Sequence, residues 1–386
     1  MKKKEIDDLV LEKELGNGSF GVVYLTSLKN DSTKKLATKR LERAEIEGTK
    51  LMDYFKNEIE ILQRLDHPNI VKFHSLKKTK KFFYLAMEFC NGGGLDEALE
   101  KYQEKYGKPF SEEIVQYLMR QIIDAFKYIH SKRIIHRDVK LENILINFEN
   151  EKDKEEFDMM KATVKIVDFG FSCYINKSGS LYSTVGSPIN MDPIILKKKN
   201  DDSTKARQLG YDQKADIWSL GTICYEMLIG KSAFDANDME ELVEKIENGT
   251  YTVPTSLSSE VVSFINGMLQ YDSQKRLSSD ELIKHPFLTK EVKDFHPIDL
   301  KKVSKKVGEE GLEINTKKNK SIWAIFNATD EKKLLGINRK NALKEQELDT
   351  IFEDLILPEE GIPGNPIEKE NQEDPKENED EDKKDD

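Results

Sequence analysis

The texture of this sequence changes once, at residues 91–94 (NGGG), and that change restricts the chain more than any other feature. Before it, short β-rich runs alternate with turn residues: LVLEKEL, GVVYLTSL, KKLATKRL and FFYLAMEF, at residues 9–15, 21–28, 34–41 and 82–89. One long helical pattern interrupts them, from about Ala44 to Leu65. After the glycines a helical period dominates to about Leu288. Ile114, Leu118, Ile122, Ala125 and Ile129 make one apolar stripe, and Ser111 followed by Glu112 and Glu113 is a helix start. The pattern predicts an α+β chain: a small β-rich part, a glycine-rich hinge and a larger α-rich part.

Two charged stretches read as solvated excursions, NFENEKDKEEFDMMKA at 147–162 and KKKNDDSTKARQ at 197–208. Residues 358–386 hold thirteen acids and four lysines, so most of the net charge of −11 sits in an acidic tail expected to be disordered. What remains is nearly balanced, which gives no reason to expect nucleic acid. The three cysteines, Cys90, Cys173 and Cys224, lack paired spacing and point to a reducing compartment, cytoplasmic or nuclear. The opening MKKKEIDDLVLEKELG has no apolar run, so no signal peptide is expected. The longest apolar region, 217–229, is too short to span a bilayer.

Several groups can carry chemistry. GNGSFG, residues 16–21, matches G-x-G-x-x-G, but it runs into an alternating strand rather than a helix. That excludes a dinucleotide-binding turn and leaves a glycine hairpin, either plain or laid over phosphates. Lys39 shares a strand face with Ala37 and Leu41, a face expected to point inward. Glu58 falls on the apolar stripe of Leu51, Phe55 and Leu62, a costly place for a lone carboxylate, so a Lys39–Glu58 pair would satisfy both. IIHRDVKLENILI, residues 134–146, sets four ionisable groups and an amide between apolar runs. Such clusters are buried where polar work is done or where a network is fully satisfied. Asp138 suits a proton acceptor, Asn143 a Mg²⁺ ligand and Lys140 a phosphate neutraliser. Asp168 ends the apolar strand of VKIVDFGFS as a further hard oxygen ligand.

The order of these elements, closed by DIWSLG at 216–221, resembles the eukaryotic protein kinase family from about Leu9 to Leu288. The resemblance implies a bilobal fold: an N-lobe at about 9–87 with one long helix, a hinge at 88–91 and a C-lobe at 92–288. Beyond it come an extension at 289–357, with an amphipathic helix at 341–357 that would meet a protein partner, and the tail. Carried over by motif position, Gly16, Gly18 and Gly21 cover the phosphates of ATP. Lys39 holds the α- and β-phosphates and pairs with Glu58, Asp138 is the catalytic base, and Asn143 and Asp168 hold Mg²⁺. Glu88 to Cys90 read adenine, Met87 lines its pocket, and Val23, Ala37 and Leu145 sandwich the ring. Leu62, Phe73, His136 and Phe169 match an apolar column.

Lys140 and Ser187 resemble the serine/threonine branch, whose substrates are Ser/Thr hydroxyls of proteins, and Glu142 matches the acid of basophilic members. Arg137 would clamp a phosphate on the activation segment, with Ser183 the first site and Thr184 the second. The rival reading of a complete-looking set is a pseudokinase scaffold with weak or no transfer. GSPINMDPII, residues 186–195, departs from the family. Ile194 stands where a Glu normally pairs a distant Arg, here Arg276, so that Arg is expected to use Asp192 or another acid, or to be more exposed than usual. Asn190 replaces a usual aromatic and is expected to alter the peptide-facing surface. Within the family GSP…M-x-P, KADIWSLG and HPFL most resemble the ULK and calmodulin-kinase-like groups, and the charged insertions fit a protist homologue.

Overall fold

The computed structural model describes residues 4–18, 21–175, 186–200, 212–234, 236–248 and 251–296. They fall into two compact units. One holds the residues up to Asp53 together with Lys72–Phe89, and the other holds Tyr54–Val71 and the chain from Cys90 onward.

The first unit is an antiparallel sheet of six strands. They are β1 (Lys4–Ile6), β2 (Leu9–Gly18), β3 (Gly21–Leu28), β4 (Asp31–Glu42), β5 (Phe73–Lys78) and β6 (Phe82–Glu88), hydrogen-bonded in the order β1-β2-β3-β4-β6-β5. Sequence pattern missed β1, which is three residues long, and β5, whose FHSLKK reads as polar. The sheet curls until its edges meet. Ile6 of β1 clusters with Tyr84 of β6, and Lys77 of β5 reaches Asp8, in the turn after β1, at 3.1 Å. The enclosed face buries Leu9, Leu36 and Ala86, with the Thr26 and Thr38 hydroxyls bonded to each other at 2.7 Å. The face of β4 expected to point inward is mixed: Leu41 is buried as expected, but Ala37 and Lys39 are less so. Leu36 and Thr38 are buried inside the curl, whereas Ala37 and Lys39 on the other side are half-buried.

The helix expected at 44–65 is two, α1 (Arg43–Ile46) and α2 (Lys50–Arg64). Gly48 takes φ +76°, a left-handed conformation that stops α1. Thr49 then restarts the helix, its hydroxyl oxygen accepting the Leu51 N–H at 3.2 Å.

The second unit is mainly helical. Its helices are α3 (Leu95–Tyr106), α4 (Glu112–Ser131), α5 (Glu151–Glu156), α6 (Pro193–Asn200), α7 (Lys214–Ile229), α8 (Met239–Asn248), α9 (Ser259–Met268), α10 (Ser279–Leu282) and α11 (Pro286–Thr289). Ser111 caps α4 as expected by accepting the Ile114 N–H. Leu118, Ile122, Ala125 and Ile129 of the predicted stripe are fully buried, and Ile114 at the margin is half-buried. α7 packs against α4 and α9 and buries nearly every residue, which suits its continuous apolar run. Two short ribbons complete the unit: β7 (Ile134–Ile135) with β10 (Cys173–Tyr174), and β8 (Ile144–Phe148) with β9 (Ala162–Ile166).

The 147–162 stretch is only partly an excursion. α5 is wholly unburied, but Phe148, Met159 and Ala162 are core residues, and the Asn91 amide brackets the main chain of Phe148 at 2.9 and 3.0 Å. Charge dominates the composition of this stretch, but its few apolar residues anchor it. The remainder of 197–208 beyond Asn200 lies outside the described residues. So do Ser183, Thr184, the 341–357 helix and the 358–386 tail. No described helix is long and apolar enough to cross a membrane.

The curl makes β1 part of the first unit's core. Ile6→Ala is expected to cost about 2–4 kcal/mol through transfer and cavity terms, read as a lowered midpoint in chemical denaturation.

Candidate active site

In the first unit, register decides which side chains share a face. Gly16 lies opposite Val23, Val23 opposite Lys39, and Ala37 opposite Met87. Directly opposed residues project on the same side, so these five line one surface, all exposed or half-buried. Glu88 follows at the end of β6, its N–H bonded to the Lys72 carbonyl at 2.9 Å. Gly18 pairs with Gly21 at the hairpin tip. Gly21 is required by the sheet itself, since a Cβ there would lie 2.2 Å from the Arg40 carbonyl oxygen. At Gly16 a Cβ would meet nothing within 4 Å.

In the second unit, the residues of IIHRDVKLEN converge on two carboxylates. Asp216, at the start of α7 and 1% exposed, accepts the main-chain N–H groups of His136 and Arg137 at 2.9 Å each, and bonds His130 Nε2 at 3.0 Å. Burial works against its charge, but the His130 hydrogen bond, the charges of His130 and His136 and the His136 N–H together hold its pKa below the usual carboxylate value. This grip fixes a turn in which Arg137 has φ +69°. Sequence reading placed Asp216 in a motif without giving it this role. An acid opening an otherwise apolar helix was the available signal.

The turn delivers Asp138, 5% exposed. Its Oδ1 accepts the N–H of Ser187 at 3.0 Å and the Ser187 hydroxyl at 2.8 Å. Its Oδ2 accepts Asn143 Nδ2 at 2.9 Å and lies 3.4 Å from Lys140 Nζ. Asn143 Nδ2 also donates to the Asp138 carbonyl at 2.9 Å, which turns the amide oxygen away from that carboxylate. The Asn143 carbonyl takes the Val167 N–H at 3.0 Å, and His136 Nε2 meets the Val167 carbonyl at 3.0 Å. These bonds set Asp168, half-buried with φ +61°, beside the loop that carries Asn143. Phe169 is fully buried edge-on against His136, with centroids 5.0 Å apart.

Glu58, the partner expected for Lys39 of the first unit, is 3% exposed. One of its carboxylate oxygens would lie 3.8 Å from a Cβ on Gly170. Leu62 is buried on the same helix, Cys90 is buried and Leu145 half-buried, while Phe73 lies on β5 of the first unit. Arg137 Nε donates to the Phe171 carbonyl. Three acids, Asp96, Glu142 and Glu226, lie close enough to act on one another. Burial pushes Glu142 up to about 7, with Asp96 and Asp138 adding repulsion, and raises Glu226 to about 8 with help from Glu142 and Asp96. Asp96 is raised for the same reason. Asp96, Glu142 and Glu226 are far apart in sequence, so no local pattern could group them.

The 186–195 segment answers both of its departures. Arg276 is 2% exposed and fully engaged, so of the alternatives open to it the Asp192 partner holds and greater exposure does not. Its Nη1 donates to Asp192 Oδ2 and to the Lys214 carbonyl at 2.8 Å, its Nε to the Gln270 carbonyl at 2.6 Å and its Nη2 to the Tyr271 carbonyl at 3.2 Å. Its guanidinium also lies over Trp218, 5.1 Å from the ring centroid. Asp192 is free to do this because α6 starts just after it. Oδ1 accepts the Ile194 N–H at 2.7 Å and caps the helix, Pro193 takes the first helical position, and Oδ2 is left for the arginine. Asn190 does not face a peptide. It is 5% exposed and its Nδ2 donates to the Thr222 hydroxyl of α7 at 3.0 Å.

Removing one member of a buried ion pair strands the other. Asp192→Ala is expected to lose about 3–5 kcal/mol in chemical denaturation. Asp192→Ala/Arg276→Met, with no stranded charge, is expected to be less destabilised than Asp192→Ala alone.

Comparison with known proteins supplies the family. The family profile of the protein kinase domain matches residues 9–288. The chain is 31% identical over 289 residues to serine/threonine-protein kinase atg1 of Dictyostelium discoideum, covering 74% of this chain and 40% of that protein. It is 33% identical over 289 residues to an Aurora kinase of Candida glabrata, covering 75% and 73% of the two chains. It is 27% identical over 286 residues to serine/threonine-protein kinase PLK4 of Drosophila grimshawi, covering 74% and 34%. The match thus spans well under two thirds of the atg1 and PLK4 proteins. With a β-rich N-terminal sheet, a helical C-terminal part and these relatives, the chain belongs to the protein kinase domain family, on its serine/threonine side.

Proposed function

We propose that the chain is an active, ATP- and Mg²⁺-dependent serine/threonine protein kinase that favours acceptors flanked by basic residues and is regulated on its activation segment. The observation that carries this reading is the setting of Asp138. One carboxylate oxygen is held by Ser187 and the other by Asn143 and Lys140. A substrate hydroxyl that displaces the Ser187 hydroxyl from Oδ1 finds a proton acceptor already oriented, with the Lys140 ammonium beside it to offset phosphate charge.

The donor set fits a hard divalent cation. Asn143 spends its N–H groups on Asp138 and keeps a neutral oxygen, and Asp168 adds a carboxylate held beside it. No cluster of three or more acid, His or Cys ligands occurs among the described residues, so the protein supplies few ligands and the nucleotide and water supply the rest, as is usual for Mg²⁺. When bound, the ion neutralises charge on the phosphates. On the first unit's open face, Gly16, Gly18 and Gly21 belong over the phosphates and Lys39 against them. Val23, Ala37 and Met87, with Glu88, Cys90 and Leu145, are assigned to the adenine. Arg137 is assigned to a phosphate on Ser183 or Thr184, and the 289–357 extension to a protein partner. The three cysteines, all free thiols, support work in the reducing cytoplasm.

Phosphate transfer from ATP–Mg²⁺ to a panel of serine peptides tests the reading. Wild type is expected to transfer and Asp138→Asn to lose about 10²- to 10⁴-fold, with Ser183→Ala/Thr184→Ala reduced but not abolished. Nucleotide binding without any transfer by wild type overturns it.

The acidic group predicts the pH dependence. Glu142 and Glu226 have pKa values raised to about 7 and about 8, so below that range both carry protons and attract cations weakly. The KM for an arginine-bearing peptide should fall as pH rises through it, and Glu142→Gln should flatten the change. The folded state holds these protons more tightly than the unfolded state, so the same two groups lower stability as pH rises from the ordinary carboxylate range to about 8.

A further inference from the structure

We infer that Asn190 is a positioning residue: through a polar ring shared with Ser219 and Thr222 of α7, it sets the docking segment so that Ser187 meets Asp138. The ring is closed and buried. Asn190 Nδ2 donates to Thr222 Oγ1 at 3.0 Å, Thr222 Oγ1 donates to the Ser219 carbonyl at 2.7 Å, and Ser219 Oγ donates to the Asn190 carbonyl at 2.5 Å. All three residues are at most 8% exposed. Buried polar groups joined in this way specify one arrangement, because any displacement leaves several of them unpaired at once.

The position of Asn190 explains what the ring controls. It ends a single 3₁₀ turn, residues Pro188–Asn190, and its N–H donates to the Ser187 carbonyl at 3.1 Å. Ser187 opens that turn and makes both bonds to Asp138 Oδ1. Gly186, on the other side of Ser187, has φ +111°, and a Cβ there would lie 2.3 Å from the Arg137 carbonyl oxygen, so the chain cannot shift toward the catalytic turn. The segment is therefore pinned at Ser187, at Asn190 and at Asp192, two residues further on. Loss of the middle pin leaves the outer two, so a variant there keeps its fold and changes the register of the residues between. An aromatic ring at 190, as the family pattern has it, could not donate this bond. The ring is this chain's own way of holding the segment, just as Asp192 is its own way of holding Arg276.

The inference rests on reading 186–195 as the substrate-docking segment of an active kinase, so the experiment has two readouts on the 386-residue chain. The first is amide hydrogen exchange of residues 187–191. The second is steady-state kinetics with ATP–Mg²⁺ and an arginine-bearing serine peptide. Asn190→Ala and Thr222→Val should each speed exchange at 187–191 while α7 stays protected. Each should raise the peptide KM about five- to tenfold, the factor expected for one lost hydrogen bond, with the KM for ATP unchanged. The double variant should be no worse than the poorer single one, because both remove the same bond, and Thr222→Ser, which keeps the hydroxyl, should restore the peptide KM. Unchanged exchange at 187–191, a rise in the ATP KM parallel to that of the peptide, or Thr222→Ser as impaired as Thr222→Val would each overturn the inference. A wild type that transfers no phosphate sinks the active-kinase reading, while the exchange readout still decides the role of Asn190.

Discussion

The carboxylate of Asp216 is the fixed point of the helical unit. A buried acid is costly unless its lone pairs are taken, and here two main-chain N–H groups and an imidazole take them. The two N–H groups belong to the residues just before Asp138, so satisfying one carboxylate fixes the direction of the other. The left-handed backbone at Arg137, uncommon outside glycine, persists because this grip over-determines it. From there the order runs outward. Asp138 gathers Ser187, Lys140 and Asn143, and the Asn143 main chain gathers the strand that ends in Asp168.

The same helix α7 organises the segment on the far side of Asp138. Its first residue, Lys214, gives a carbonyl to Arg276, its Trp218 lies under that guanidinium, and its Ser219 and Thr222 hold Asn190. An arginine buried this deeply needs one counter-charge and several neutral acceptors. The chain supplies the charge from Asp192, two residues ahead of the place where the family has it. The shift works because a residue just before a helix presents its side chain to the helix's own N–H groups and to the surroundings at once. Local motif and spatial role thus come apart: the motif is broken, and the contact is made.

Much of this was legible in the sequence. The strand-to-helix switch, the stripe of α4 with its serine cap, the buried Glu58 and the convergence of HRDVKLEN residues all follow from periodicity and from the cost of burying charge. What was not legible depends on long-range closure. Three-residue β1 carries no period, and β5 reads as polar because its lysines lie on a curled sheet whose edges meet. Gly48 splits a helix that side-chain periodicity alone runs through. The direction in which Asn190 points, and the choice of Asp192 over exposure for Arg276, were set by residues more than 20 positions away. No window of sequence contains both partners.

The indole of Trp218 lies between two unlike neighbours. Phe234 stacks on it at 5.4 Å with planes 9° apart, and the Arg276 guanidinium lies 5.1 Å from its ring centroid. It is 1% exposed, and among the described residues nothing accepts its Nε1–H. A tryptophan held dry beside a fixed positive charge carries an emission colour set by that charge rather than by solvent. The chain has two tryptophans, the other at position 323. With Trp323 replaced, the light emitted by the protein would report how firmly Asp192 neutralises Arg276, and the docking segment would have an optical signal of its own.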